Sequence, residues 1–147
     1  MIITREHRDL RETVKKFVEN EINPYCEEWD KKGIFPAHEV FKECGKLGLL
    51  GVNKSPDYGG LGLDYTYGVM TSESLGHSHD MGVAMAIGVQ TDMATPALER
   101  FGSKELKEQF LKPSISGDYV SSIAVSEPGA GSDVAGLKTY AKKDGDD

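Results

Sequence analysis

Cysteine is scarce in this sequence: Cys26 and Cys44 are the only two among 147 residues. Neither sits in a Cys-x-x-Cys pair or at Cys/His ligand spacing, so both read as ordinary reduced thiols. That argues against a disulfide framework, while one bridge remains formally open. A basic excess is also missing. Lys and Arg number 17 against 24 Asp and Glu, a net charge of −7, and the cations are interspersed with acids. Such a surface offers no electrostatic basis for binding nucleic acid or an anionic membrane. No uninterrupted apolar run approaches membrane-spanning length, and Met1-Ile-Ile-Thr-Arg-Glu-His lacks the charged-then-apolar order of a signal peptide. Internal repeats and low-complexity segments are absent as well. What remains, at 38% hydrophobic and 28% charged residues, is an ordinary globular composition with enough length for one buried core.

Most of the chain carries helical periodicity. Thr4 is placed to cap a first helix, in which Leu10, Val14, Phe17, Val18, Ile22, Tyr25 and Trp29 recur at steps of three and four. This aromatic stripe reads as core. Pro24 predicts a kink or a junction of two helices, and Gly33 a stop. Pro36 suits a first helical turn, with Val40, Phe41, Cys44 and Leu47 as a second apolar face and Gly48 just past its end. Residues 49–63 are rich in turn formers and read as a packed surface loop. A third helix is expected from Tyr65 to about Leu75, with Val69, Met70 and Leu75 inward. Gly76-His-Ser-His79 breaks it. His77 and His79 have no companion ligands at sensible spacing, so no metal site is assigned. Asp80 is a candidate cap for Met81–Gln90, whose Gly, Ala, Val, Met and Ile predict a helix buried on most sides. Its small residues suit close packing, and they would equally leave room for an apolar ligand tail. Asp92–Phe101 reads as another helix stopped by Gly102. Ser103 caps a last one, with Leu106, Phe110 and Leu111 inward and Pro113 blocking extension.

After Pro113 the pattern changes. Ser116-Gly-Asp118 is a turn, Tyr119–Val125 is strand-like, and Leu137–Lys143 alternates with period two before the hairpin signal Asp144-Gly145. Between them lies Ser126-Glu-Pro-Gly-Ala-Gly-Ser-Asp133. Gly129-x-Gly131 lacks the third glycine of a dinucleotide fingerprint, and no Gly-Lys-Ser/Thr follows as in a phosphate loop. The residues leave two readings open, a structural turn and a ligand loop offering hydroxyls and backbone N–H groups. The expected fold class is mainly α: a helical N-terminal domain over residues 1–115, then the first strands of a truncated β domain over residues 116–147.

The run Ile123-Ala-Val-Ser-Glu-Pro-Gly-Ala-Gly-Ser-Asp133 resembles the acyl-CoA dehydrogenase family. Its continuation Leu137-Lys-Thr-Tyr-Ala141 and Asp144-Gly-Asp146 fits the same pattern. So do Lys46-Leu-Gly-Leu-Leu-Gly51, Tyr58-Gly-Gly-Leu-Gly-Leu-Asp64, Pro96-Ala-Leu and Phe101-Gly-Ser, in the family's order. The glutamate-proline loop is the specific part; the glycine pieces would be weak alone. The resemblance implies an N-terminal helical domain followed by the start of a middle β domain. It implies FAD as cofactor and a fatty or branched acyl-CoA as substrate, oxidised to the trans-2-enoyl-CoA in the chemistry of fatty acid β-oxidation. Electrons would pass to electron-transferring flavoprotein, and the whole protein would be a homotetramer.

By the same resemblance, Ile123, Ala124, Val125, Ser126, Glu127, Pro128, Gly129, Ala130, Gly131 and Ser132 would lie along FAD. Val125 and Ser126 would be nearest the flavin ring, and Ser132 would contact the CoA ester. Ser126 stands where the family often has threonine, keeping the hydroxyl but losing the methyl that stiffens its rotamer. Met81–Thr95 would border the acyl chain. Glu127, beside Pro128 in a turn, reads as structural; the family's glutamate base would lie beyond Asp147, so no catalytic residue is assigned here. The chain alone is then expected to be inactive. The expected compartment is cytoplasmic for a bacterial protein and the mitochondrial matrix for a eukaryotic one. Alternatives are an acyl-CoA oxidase and a non-catalytic helical interaction module.

Overall fold

The computed structural model describes residues 3–145, and within them the fold is mainly α-helical. Helix α1 (Arg5–Phe17) starts at Thr4, as its sequence predicts. His7 closes this N-terminus: its Nδ1 accepts the Thr4 N–H at 3.2 Å and lies 2.8 Å from Thr4 Oγ1. An accepting Nδ1 leaves the ring proton on Nε2, which donates to Thr66 Oγ1 at 2.7 Å. That bond ties α1 to α4 (Tyr65–Leu75), and the His7 ring stacks on Tyr67 at 3.8 Å. Farther along, Arg11 pairs with Glu73 at 2.7 Å. Phe17, Val18, Ile22 and Trp29 bury as one stripe, as the periodicity implies. Tyr25 of that stripe is 45% exposed and stacks on Trp29.

Helix α2 (Cys26–Lys32) ends at Gly33, whose φ of 68° favours a residue without Cβ. Helix α3 (Ala37–Lys46) buries Val40, Phe41 and Cys44, whereas Leu47 stays 45% exposed. Burial pushes the Cys44 thiol up to about 12, and Cys26 is raised by the same cause. Both cysteines are free and unreactive in this state. The packed loop 49–63 inserts Leu49 and Leu50 into the core as a 3₁₀ turn (Leu49–Gly51). Asn23 holds the His77–His79 break, donating to His77 O at 3.2 Å and accepting the His79 N–H at 2.9 Å. No group of three or more potential metal ligands forms among the described residues.

Three helices meet a proline, and each widens before it. π-Helical turns span Val18–Ile22, Val89–Ala94 and Lys107–Leu111. In each, the residue directly before the proline donates its N–H five residues back: Asn23 to Val18, Thr95 to Gln90, Lys112 to Lys107. A proline has no N–H, and its ring collides with the carbonyl four residues earlier. One extra residue in the turn moves that carbonyl aside. Pro113 therefore does not block extension, contrary to the sequence expectation. The helix runs from α7 (Lys104–Leu106) through the wide turn into α8 (Lys112–Ile115).

In this five-residue register each proline would have served the carbonyl of Glu19, Thr91 or Glu108, and has no N–H to do so. Glu19 and Glu108 are exposed. Thr91 O instead accepts the ammonium of Lys54, a lysine only 6% exposed, at 2.9 Å, and the Thr95 hydroxyl more distantly at 3.4 Å. Glu99 lies 3.7 Å from the same ammonium and accepts the Ser55 N–H at 2.7 Å.

Several expectations are overturned. Helix α5 (Met81–Gly88) buries only Val83 and Ile87 and exposes Met81 and Met85, because it packs on one side. Val69, Leu106 and Phe110 also face outward. Most consequentially, the first strands of a β domain are missing: the described part of residues 116–147 contains no strand or sheet. Alternation shows which side chains would share a face, but a strand exists only through its ladder partner. Here side chains take that place, as described below. Gly145 has the positive φ of the expected hairpin, 65°; Asp146 and Asp147 lie outside the described residues.

Lys54→Met is expected to destabilise the protein by about 1–3 kcal/mol, the weight of a hydrogen bond from a charged group to a half-buried carbonyl. In a Pro96→Ala background the restored N–H should shrink that cost. Urea unfolding of the four proteins checks it; an equal cost in both backgrounds would show that Lys54 does not act through Thr91.

Candidate functional site

An apolar cleft of about 210 Å³ opens between α4 and α5. Leu49, Leu50 and Val52 lie on one side of its lining, Leu75 comes from α4, and Met81, Ala84, Met85 and Ile87 come from α5. Asp80 fixes the start of α5 by accepting the Gly82 and Val83 N–H groups at 2.8 and 3.3 Å. Gly88, Thr91 and Asp92 continue the wall into the π-helical turn. A Cβ placed on Gly88 would meet nothing within 4 Å, so the absence of a side chain there leaves the cleft open.

The same turn carries Gln90, 1% exposed. Its amide nitrogen donates to Ser114 O at 2.7 Å and Tyr119 O at 3.2 Å, and its oxygen accepts the Ser121 N–H at 2.7 Å. These bonds join the helical unit to the chain leading into the loop. Lys42 pairs with Asp118 below it, and Asp118 is held below the usual carboxylate range by that lysine and then by Ser116.

The loop predicted from sequence to bind a ligand is well defined. Glu127 and Ala130 exchange two backbone hydrogen bonds of 2.7 and 3.1 Å around Pro128-Gly129, the one β-type pairing among the described residues. The Glu127 carboxylate then reaches across the loop and accepts the Lys138 and Thr139 N–H groups at 2.9 and 2.8 Å. A side chain thus occupies the place of a neighbouring strand. Hydrogen bonding from the Thr139 side chain, followed by the two amides, holds its carboxyl below the usual range.

Among the candidate residues, Ile123, Ala124, Val125 and Ser126 are exposed in irregular backbone, while Glu127, Pro128, Gly129 and Ala130 form the turn, with Ala130 buried. Gly131 and Ser132 are exposed in the bend that follows. A Cβ on Gly129 or Gly131 would meet nothing within 4 Å, so the turn's outer edge is free for close approach. None of these residues lines the apolar cleft. Exposed hydroxyls and turn N–H groups on one edge can donate to a polar heteroaromatic ring, and the cleft can hold an alkyl chain. Sequence reasoning did not single out Lys54 or Gln90. For Gln90 the available signal was a polar residue ending an apolar, small-residue helical stretch six positions before Pro96.

Comparison with known proteins places this arrangement. The family described as "Acyl-CoA dehydrogenase, N-terminal domain" matches residues 4–118, and the chain belongs to the acyl-CoA dehydrogenase family. The rat (Rattus norvegicus) mitochondrial long-chain specific acyl-CoA dehydrogenase is 38% identical over 146 residues, covering 99% of this chain and 33% of that protein. The bovine (Bos taurus) mitochondrial short-chain specific enzyme is 38% identical over 141 residues, covering 95% of this chain and 34% of that protein. The solved acyl-CoA dehydrogenase of Geobacillus kaustophilus superposes with a TM-score of 0.86 at 35% identity, covering 98% of this chain and 37% of that one. That of Bacillus anthracis, solved in complex with FAD, gives 0.85 at 30% identity, covering 92% and 23%. The chain thus spans about a third of the length of the curated relatives it matches. No helix of the described residues is long and apolar enough to cross a membrane.

Because the folded Glu127 pKa is lowered, its clamp is present above the ordinary glutamate value of about 4.3 and is lost as pH falls through the folded value. The Lys138 and Thr139 amides should be protected from exchange at neutral pH and lose protection on acidification. Glu127→Ala should abolish that protection at every pH. Unchanged exchange in the variant would show that the carboxylate does not hold the loop.

Proposed function

We propose that this chain forms the N-terminal part of an FAD-dependent acyl-CoA dehydrogenase that converts a fatty or branched acyl-CoA to its trans-2-enoyl-CoA. The observation that carries the reading is the pairing of an apolar cleft with a hydroxyl-bearing, side-chain-clamped loop on one turn of helix. Family membership and the FAD-bound B. anthracis relative support it. The residues fit the cofactor: the loop edge is open at both glycines and carries exposed Ser126 and Ser132. FAD, when bound, supplies the hydride acceptor.

The remaining roles belong to this chain's own residues. Ile123 to Ser132 would line the flavin edge, with Val125 and Ser126 nearest the ring. The Ser126 hydroxyl would donate toward it and so favour the electron-rich form that hydride arrival produces. Ser132 holds the CoA ester. Leu75, Ala84, Met85 and Gly88 enclose the alkyl chain and exclude water from it. Glu127 has both carboxylate oxygens engaged by Lys138 and Thr139, which suits a clamp rather than a base; the glutamate base lies outside this chain. The division into a helical unit (1–115) and a following segment (116–147) belongs to this proposal, as do electron-transferring flavoprotein as acceptor and a homotetrameric whole protein. A mitochondrial location, in a eukaryote, follows the relatives' printed compartment.

The purified chain alone is expected to show no FAD-dependent turnover and to lose flavin absorbance on desalting. A fusion of residues 1–147 to the remaining length of the G. kaustophilus relative should retain FAD and oxidise acyl-CoA. In that fusion, Gly88→Leu should shorten the longest acyl chain accepted without lowering thermal stability, since leucine exceeds glycine in helix propensity by about 0.8 kcal/mol. Robust turnover by the isolated chain, or a chain-length profile unmoved by Gly88→Leu, would contradict the assignment.

A further inference from the structure

We propose that Gln90 is a positioning residue that locks the base of the Ile123–Ser132 loop to the wall of the apolar cleft, so that filling the cleft is registered at the loop. Its functional meaning rests on the reading of the loop as the flavin edge and the cleft as the acyl site. The mechanical coupling stands on geometry alone.

Three observations carry it. First, the amide's orientation is unambiguous. Ser121 N–H can only donate, and Ser114 O and Tyr119 O can only accept, so oxygen faces the former and nitrogen the latter two. Both amide hydrogens are in use, in a side chain sealed from solvent. Second, the backbone of Gln90 is held as firmly as its side chain. Its carbonyl accepts the Thr95 hydroxyl at 2.6 Å as well as the Thr95 N–H of the wide turn. The next carbonyl, Thr91 O, is pinned by Lys54. Third, Gly88, Thr91 and Asp92, on either side of Gln90 in sequence, line the cleft. Ser121, at the far end of the amide, stands two residues before Ile123 and bonds through its hydroxyl to that of Ser114 at 2.8 Å.

No flexible segment separates the cleft wall from the loop. The path is one π-helical turn, one fully bonded amide and two residues of backbone. An alkyl chain pressing on Gly88 and Thr91 displaces the turn that carries Gln90. The amide cannot slide without breaking these three bonds, so the displacement passes to Tyr119–Ser121. A glutamine that merely filled a polar hole would stabilise this junction without transmitting anything.

A substitution cycle in the 147-residue chain separates the two, read from backbone amide shifts and hydrogen exchange. Gly88→Leu serves as built-in cleft occupant, because a side chain there enters open space. It should shift the amides of Ser121 to Ser126, and the shifts should vanish when Gln90→Leu is added. Gln90→Met keeps the length of the side chain and buries no charge, but loses the acceptor for Ser121 and both donors. It should speed exchange of the Ser121 amide roughly ten-fold, about the weight of one net hydrogen bond, and weaken the Gly88→Leu shifts. Shifts absent with Gln90 in place, or equally large with Gln90→Met, would overturn the proposal. In the G. kaustophilus fusion, an acyl-CoA ligand should perturb the bound-flavin spectrum less in Gln90→Met than with Gln90. If the fusion holds no flavin, the functional reading fails while the amide cycle still decides the coupling.

Discussion

Pro96 has no N–H to give, and the cleft wall and the junction leading to the loop are arranged around that missing donor. The turn before it opens to five-residue bonding, Thr95 to Gln90, which frees the Thr91 carbonyl inside the protein. Lys54, an otherwise costly buried cation, answers that carbonyl with its ammonium. The opened turn also carries Gln90 into the junction with Ser114, Tyr119 and Ser121. Wall, plug and junction are consequences of one backbone constraint. The two other prolines provoke the same widening at Glu19 and Glu108, where exposure makes no buried partner necessary.

The segment after Ile115 obeys a second rule, that backbone polar groups in extended chain must find partners. Without a neighbouring strand, side chains supply them. Gln90 satisfies Tyr119 and Ser121, and Glu127 satisfies Lys138 and Thr139. The loop between is thereby shaped by helical-domain and loop residues alone. This is why a segment with strand-like alternation can be well defined and yet contain no strand.

The start and end of α4, the Thr4 and Asp80 starts and the Gly33 stop were legible because each rests on chemistry within a few residues of itself. The core stripe from Val14 to Trp29 was legible for the same reason: helical period places those side chains on one face. Exposure of Met81, Met85, Leu106 and Phe110 was not legible. Apolar character says that a side chain gains by burial, not that a neighbour is there to bury it. In the candidate site, the loop from Ile123 to Ser132 was visible as a motif. The cleft was visible only as a stretch of small residues, and Lys54 and Gln90 not at all, since their partners lie 24 to 37 residues away.

By itself, the order of residues determined the helical character of residues 4–115, the family to which the chain belongs, and the tight turn at Glu127-Pro-Gly-Ala130. These depend on local stereochemistry and on side-chain period, which act between near neighbours. Tertiary structure alone decided that Pro113 lies within a continuing helix, that the extended segment stays unpaired, that a lysine holds the cleft wall, and that a glutamine joins that wall to the chain leading into the loop. Each of those outcomes turns on whether a distant hydrogen-bond partner arrives. Sequence can state that need, but only the folded chain meets it.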